Sequence, residues 1–229
     1  MSRVYHLWLF ITLYFLGPHG RVEGQILPEE VPDSLQHLLH WDLDTWQAPE
    51  EIQQDFPYFV SGFDEENRPI LVLEFGKWDI RKIVDRGIEW ERILDKYIDQ
   101  IIWNLYNSTG LRSTPENRVN EVEAIIDMDG YGFKQLSSLK AVSFTLRKMR
   151  LVTIAMRFAN SVFMINTNFI AESLLNLLKP IMGKEFEKIQ IFGTNPKHWM
   201  PRMLKVIPRD QLPPKYGGST DFSPVSMFG

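Results

Sequence analysis

Two aspartates two residues apart, Asp127 and Asp129, stand in "IIDMDGYGF", residues 125–133, and Gly130 and Gly132 follow them. Alternating oxygen donors before glycine suit a calcium loop, and a carboxylate pair suits phosphoryl transfer. A calcium loop of the EF-hand kind needs an oxygen ligand at its fifth position and a bidentate glutamate at its twelfth. Counted from Asp127, those positions are Tyr131 and Ser138, so the calcium reading fails. For phosphoryl transfer, no lysine, phosphate cradle or third carboxylate can be assigned beside the pair. What remains is a strand with a polar carboxyl end, where Gly130 and Gly132 allow a sharp exit into a helix.

His37 and His40, in "HLLH", place two imidazoles on one helix face, with Asp42 and Asp44 beyond. Spacing of three permits zinc, but no third ligand follows, so no metal site is predicted. The chain has no cysteine, which removes disulfides, thiolate zinc sites and cysteine nucleophiles together. It also lacks G-x-G-x-x-G, the P-loop and G-x-S-x-G, the glycine-rich cradles and nucleophile elbow of familiar α/β enzymes. No catalytic residue and no cofactor is assigned.

The 229 residues are 44% apolar and 24% charged, ordinary values for a globular domain of about 150–200 residues with appendages. A net charge of −4 argues against a nucleic-acid partner held by bulk electrostatics. One segment runs against the acidic average. Between Gly130 and Ala171 there is no acidic residue, while Lys134, Lys140, Arg147, Lys148, Arg150 and Arg157 all occur. That segment is either a solvated helix flank or a face for an anionic ligand or membrane.

The first 25 residues, "MSRVYHLWLFITLYFLGPHGRVEGQ", put Arg3 before an apolar run from Leu7 to Leu16, then a Gly-Pro break. The layout is that of a secretory signal, and the run is too short to span a bilayer. It predicts a signal peptide over residues 1–24, a mature start at Gln25 and secretion, with a cytoplasmic location as the alternative. A sequon at Asn107 matters only on the secretory route.

The elements that must position these residues alternate. A linker and a helix with an Asp33/Ser34 cap and Leu35, Leu38, Leu39 and Leu43 on one face occupy residues 25–45. "FPYFVSGFDEENRPILVLEF" is a hairpin with Pro69 opening its second strand. Trp78–Leu105 carries helical periodicity, and "VEAIIDMD" reads as a strand buried on both faces. A helix over Leu136–Phe158, with a seam including Met149, Val152 and Met156, leads to the strand "VFMINTN". The helix "FIAESLLNLLKPIM", the strand "EKIQIFG" and the helix "PKHWMPRMLKVI" complete the series. Strands alternating with helices predict an α/β fold with a mixed, largely parallel sheet flanked by helices.

The helix "FIAESLLNLLKPIM" is apolar on more than one stripe: Phe169, Ile170, Leu174, Leu175, Leu177, Leu178, Ile181 and Met182. Such a helix either lies deep in the core or meets a second apolar partner such as lipid.

Taken together, "WQAPEEIQQDFPYFVSGFDEENRPI", "IIDMDGYGFKQL", "MINTNFIAESLLNLLKPIMG", "EKIQIFG" and "DQLPPKYGGS" occur in an order that resembles a CRAL-TRIO lipid-binding domain. The likeness covers residues 46–221 and leaves 222–229 as a tail. It is nearest the animal group around supernatant protein factor, with α-tocopherol- and retinal-binding relatives. The resemblance implies an apolar pocket over the sheet, closed by a mobile gate helix at Phe169–Met182, with Lys179 and Pro180 near its end. It adds Ile125, Phe163 and Ile165 as pocket residues. It implies exchange of a hydrophobic ligand (a phospholipid, tocopherol, retinoid or sterol-like molecule) at a transient membrane contact, and no enzyme activity. A regulatory or protein-interaction module that keeps the fold without transfer is the alternative. Relatives that transfer phosphatidylinositol pair a glutamate with a lysine. Here Lys188 takes the lysine position, but Arg157 takes the glutamate's, leaving Arg157, Lys179 and Lys188 as candidate headgroup or membrane contacts.

Overall fold

In the computed structural model residues 28–228 are described; the signal-like segment over residues 1–24 lies outside them. The chain enters through a 3-10 helix at Asp33–His40, and Pro32, not Asp33, occupies its cap position. The three-residue repeat of that helix aligns Leu35 with Leu38, and both are fully buried.

Helix α1 (Glu50–Asp55) leads into the hairpin, β1 (Tyr58–Phe63) and β2 (Pro69–Leu73), paired antiparallel. The periodicity over Trp78–Leu105 suggested one helix, but the structure divides it into α2 (Ile80–Val84) and α3 (Ile88–Thr109). Gly87 separates them with φ of 117°, a conformation closed to most side chains. Next come β3 (Val122–Asp127), the short α4 (Phe133–Leu136) and α5 (Leu139–Ala155). The single helix expected over Leu136–Phe158 therefore starts later, where the Ser138 hydroxyl accepts from the Ala141 N–H at 3.3 Å, a side-chain cap. Then follow β4 (Ala159–Thr167), α6 (Phe169–Met182), β5 (Ile189–Gly193) and α7 (Pro196–Met203).

The sheet order is β5-β4-β3-β2-β1-β6, where β6 is Ser226–Phe228. Strands β2 to β5 are mutually parallel and β1 is antiparallel to both its neighbours. This is the expected mixed, largely parallel α/β sheet, with one addition: the residues read as a tail supply an edge strand. Phe228 stacks on Tyr58, ring centroids 4.8 Å apart.

Each step from β2 to β5 moves one place in the same direction across the sheet. Right-handed crossovers then place every connecting helix on one face, and α2, α3, α5 and α6 share it. Helix α7 and the chain from Ile207 to Tyr216 cover the other face. Because side chains alternate along a strand, β3 sends Val122, Ala124 and Ile126 toward the crossover helices and Ile125 toward α7.

At the amino end of β3, Glu123 is completely buried. Asn160 and the Ser161 hydroxyl donate to its carboxylate, and the Arg68 Nε lies 3.5 Å away. Burial pushes its pKa above the ordinary value, against the pull of those donors and Arg68. A raised carboxylate binds its proton more tightly folded than unfolded, so its contribution to stability is present at low pH and lost as pH rises through the shifted range. As pH falls through that range toward the ordinary glutamate value, this group should therefore add stability, by at most about 1.4 kcal/mol per pH unit. Glu123→Gln should flatten that slope, and urea unfolding of both proteins across a pH series measures it.

Candidate functional site: an apolar cavity under α6

The helix-facing side of the sheet is lined at its centre by short side chains. Ala124 and Val162 lie beside each other on β3 and β4, with Leu71 beside Ala124 on β2. Above them is a cavity of about 170 Å³. Leu71 and Leu73 of β2, Ala124 and Ile126 of β3, and Val162 and Met164 of β4 form its floor. Its walls come from Ile98, Ile101, Ile102 and Leu105 of α3, and from Phe144, Thr145, Lys148, Met149 and Val152 of α5. Leu174, Leu175, Leu178 and Met182 of α6 roof it.

No nitrogen or oxygen atom is exposed on this wall. An apolar cavity of about 150 Å³ stays dry and can take up benzene, so this one is ready for a hydrophobic guest. Larger guests require the wall to yield. Five lining residues are methionines, Met128, Met149, Met156, Met164 and Met182, whose unbranched side chains repack easily.

Helix α6 is amphipathic in an uneven way. Ala171, Leu174, Leu175, Leu178 and Met182 are buried, while Phe169 is 77% and Leu177 46% exposed. Asn168 caps it, its side-chain oxygen accepting from the Ile170 and Ala171 N–H groups at 2.9 and 3.0 Å. The Asn168 amide also donates to the Tyr131 carbonyl at 2.7 Å, tying the helix to the "DMDGYG" turn. The other end is weaker: Pro180 lies inside the helix and removes one of its hydrogen bonds. Gly183, at φ of 54°, ends it.

Of the residues predicted for the pocket, Leu174, Leu175, Leu178 and Met182 line the cavity. Phe169, Ile170, Leu177 and Ile181 stand on the outer side or flanks of α6. Ile125, Phe163 and Ile165 require correction. They are fully buried with Trp199, Met203 and Tyr216 under α7. The two-residue period of the strand decides this, since their neighbours Ala124, Ile126, Val162 and Met164 take the cavity side. The α3 and α5 walls were missed as site residues. Their apolar repeats were visible in the sequence, but nothing in a repeat tells a lining residue from a packed one.

Lys188 also requires correction. Its ammonium donates to the carbonyls of Met156, Arg157 and Ala159 at 2.9, 3.1 and 3.0 Å, with the Glu185 carboxylate at 3.4 Å. All three donors of the ammonium are occupied, so Lys188 clamps the α5–β4 junction and has none left for a headgroup. Lys188→Met is expected to lose about 1–3 kcal/mol of stability in chemical denaturation, with ligand uptake by the folded protein unchanged. Arg157 and Lys179 are exposed.

Of the two aspartates that first suggested chemistry, Asp129 is exposed and Asp127 is structural. The Asp127 carboxylate accepts from the Tyr216 hydroxyl at 2.8 Å, the Asn166 amide at 2.8 Å and the Asp129 N–H at 3.0 Å. It fixes the exits of β3 and β4 against the C-terminal segment, with Asn166 at φ of 57°. Of the two glycines, only Gly130, at φ of 88°, needs to be one. Gly132 is extended. Among the described residues, no group of three or more His, Asp or Glu is placed to hold a metal ion.

A helix-backed mixed sheet with a wholly apolar cavity roofed by α6 defines an α/β binding domain for a small hydrophobic molecule. The chain belongs to the CRAL/TRIO domain family, which matches residues 53–218, a family that binds lipids and other small hydrophobic ligands. It is similar to the solved structure titled "Crystal structure of Sfh5", with a TM-score of 0.48 and 13% identity. The likeness covers 80% of this chain, and the chain spans 64% of the length of that one.

Proposed function

We propose that this protein takes a hydrophobic molecule or lipid chain into the cavity and exchanges it with a membrane when α6 swings away. The observation that carries the reading is the wholly apolar cavity roofed by a helix that also exposes Phe169 and Leu177 on its outer side. Burial in such a cavity yields about 0.8 kcal/mol per methylene, so affinity needs no polar anchor. Opening α6 in water would expose Leu174, Leu175 and Leu178. Against a bilayer those side chains and Phe169 and Leu177 find hydrocarbon instead, which lowers the cost of opening where exchange is useful. Phe133 and Leu139, 72% and 87% exposed on α4 and α5, are further apolar side chains at the surface, and the exposed Lys140, Arg150 and Arg157 add positive charge. Tocopherol, retinoid, sterol-like and phospholipid ligands all fall in this class. Secretion through the signal-like segment belongs to the same proposal, and an N-terminus at Gln25 on the product of secretory cells is its check.

The test is transfer of a radiolabelled lipid from donor to acceptor vesicles. The protein should accelerate transfer over the spontaneous rate. Phe169→Glu/Leu177→Glu should lose most of that acceleration while still holding ligand. A protein that holds ligand but never accelerates transfer would be a sensing or regulatory module instead.

A further inference from the structure

Two polar side chains, Thr145 and Lys148, sit on the cavity wall one helical turn apart on α5, yet neither presents its polar atom to the interior. The Thr145 hydroxyl donates to the Ala141 carbonyl at 2.9 Å. The Lys148 ammonium is turned to α3, 2.7 Å from Asp99 and 3.2 Å from Asp95. The Lys148 and Asp99 side chains are only 6% and 2% exposed. Asp95 is steadied from outside by Arg147 at 3.9 Å, and the second Asp99 oxygen faces His37 Nε2 at 4.0 Å.

We propose that Asp99 and Asp95 hold the Lys148 ammonium behind the wall, so that the cavity admits only hydrocarbon. The favoured guest is an alkyl or isoprenoid hydrocarbon chain or ring, and a polar end is penalised wherever the cavity walls enclose it. This rests on the ligand-binding reading above and narrows the ligand class. Lysine carries its charge on a flexible stem that can lie along apolar surface while the head turns elsewhere, and here the stem forms the wall. Swinging the ammonium inward would strand the buried Asp99 without its partner, a strongly unfavourable change. A carboxylate, hydroxyl or carbonyl entering the cavity therefore meets neither donor nor acceptor and is penalised for its lost hydration.

Uptake of decane, 1-decanol and decanoate from phosphatidylcholine vesicles tests this on the full chain. Relative to its partition into the vesicles, decane should bind at least about tenfold better than either polar analogue, as expected for a buried polar group left unpaired. Asp95→Asn/Asp99→Asn frees the ammonium and should raise decanoate uptake about tenfold or more, by the pairing of opposite charges in an apolar site, leaving decane unchanged. Equal uptake of decane and decanoate by the natural protein would overturn the inference while leaving the binding function standing. No uptake of any of the three would overturn both. Should the double variant not fold, Asp99→Asn alone, behind the wall and not lining the cavity, should raise decanoate uptake by a smaller factor with decane uptake unchanged. Decanoate uptake no higher than that of the natural protein would overturn the inference.

Discussion

Ala124→Phe is expected to abolish uptake of a hydrophobic ligand while the protein stays folded. Ala124 lies on β3 on the floor of the cavity, between Leu71 and Val162 on the neighbouring strands. Its methyl group faces open volume, not a packed neighbour, and a ring built there grows into the cavity of about 170 Å³. The added aromatic surface is buried against side chains already present, and a filled cavity regains lost dispersion contacts. Stability should stay within about 1–2 kcal/mol of the natural protein, because the flexible methionines around the site absorb misfit. Ligand uptake should fall at least about tenfold, since the guest and the new ring compete for one space and tenfold is only 1.4 kcal/mol. Equilibrium binding of a labelled lipid, with urea unfolding in parallel, separates the two effects. Unchanged binding in a folded variant would mean that ligand sits elsewhere.

Phe163→Ala should do the opposite. Phe163 is the next residue along β4 from Val162, has no exposed surface, and packs with Ile125, Trp199 and Met203 under α7. Truncation removes its transfer free energy and leaves a hole that a sheet pinned by α7 cannot collapse around. A loss of about 3–5 kcal/mol is expected, the largest stability effect among these variants. The folded fraction should bind ligand as before, because the cavity is on the other side of the sheet. Denaturant midpoints and binding to the folded protein measure both. Retained stability with lost binding would reverse the assignment of the two faces.

This pair of neighbours also shows where the sequence stops being informative. The alternation of strands and helices was legible from apolar periodicity, and with it the sheet, the bounds of α6 and its excess of apolar surface. Pro180 and the outer Phe169 were visible as anomalies. The face on which Phe163 or Ile125 lies was not, because a strand buried on both sides shows no alternation. Only the direction of the crossovers and the course of the C-terminal segment separate cavity side from packed side. Gly87 breaks a periodicity that otherwise runs unbroken from Trp78 to Leu105, a case of backbone conformation overriding pattern. Edge strand β6, at three residues, is too short to carry a period. The role of Lys188 depended on carbonyls left at the end of α5, which no spacing in the sequence announces.

Organic extraction of the protein purified from cells, with mass spectrometry of the extract, tests ligand binding in the cavity most directly. The expected result is a hydrophobic compound in near-equimolar amount from the natural protein and little or none from Ala124→Phe. A folded natural protein that carries no such compound and takes up none from lipid vesicles would contradict it.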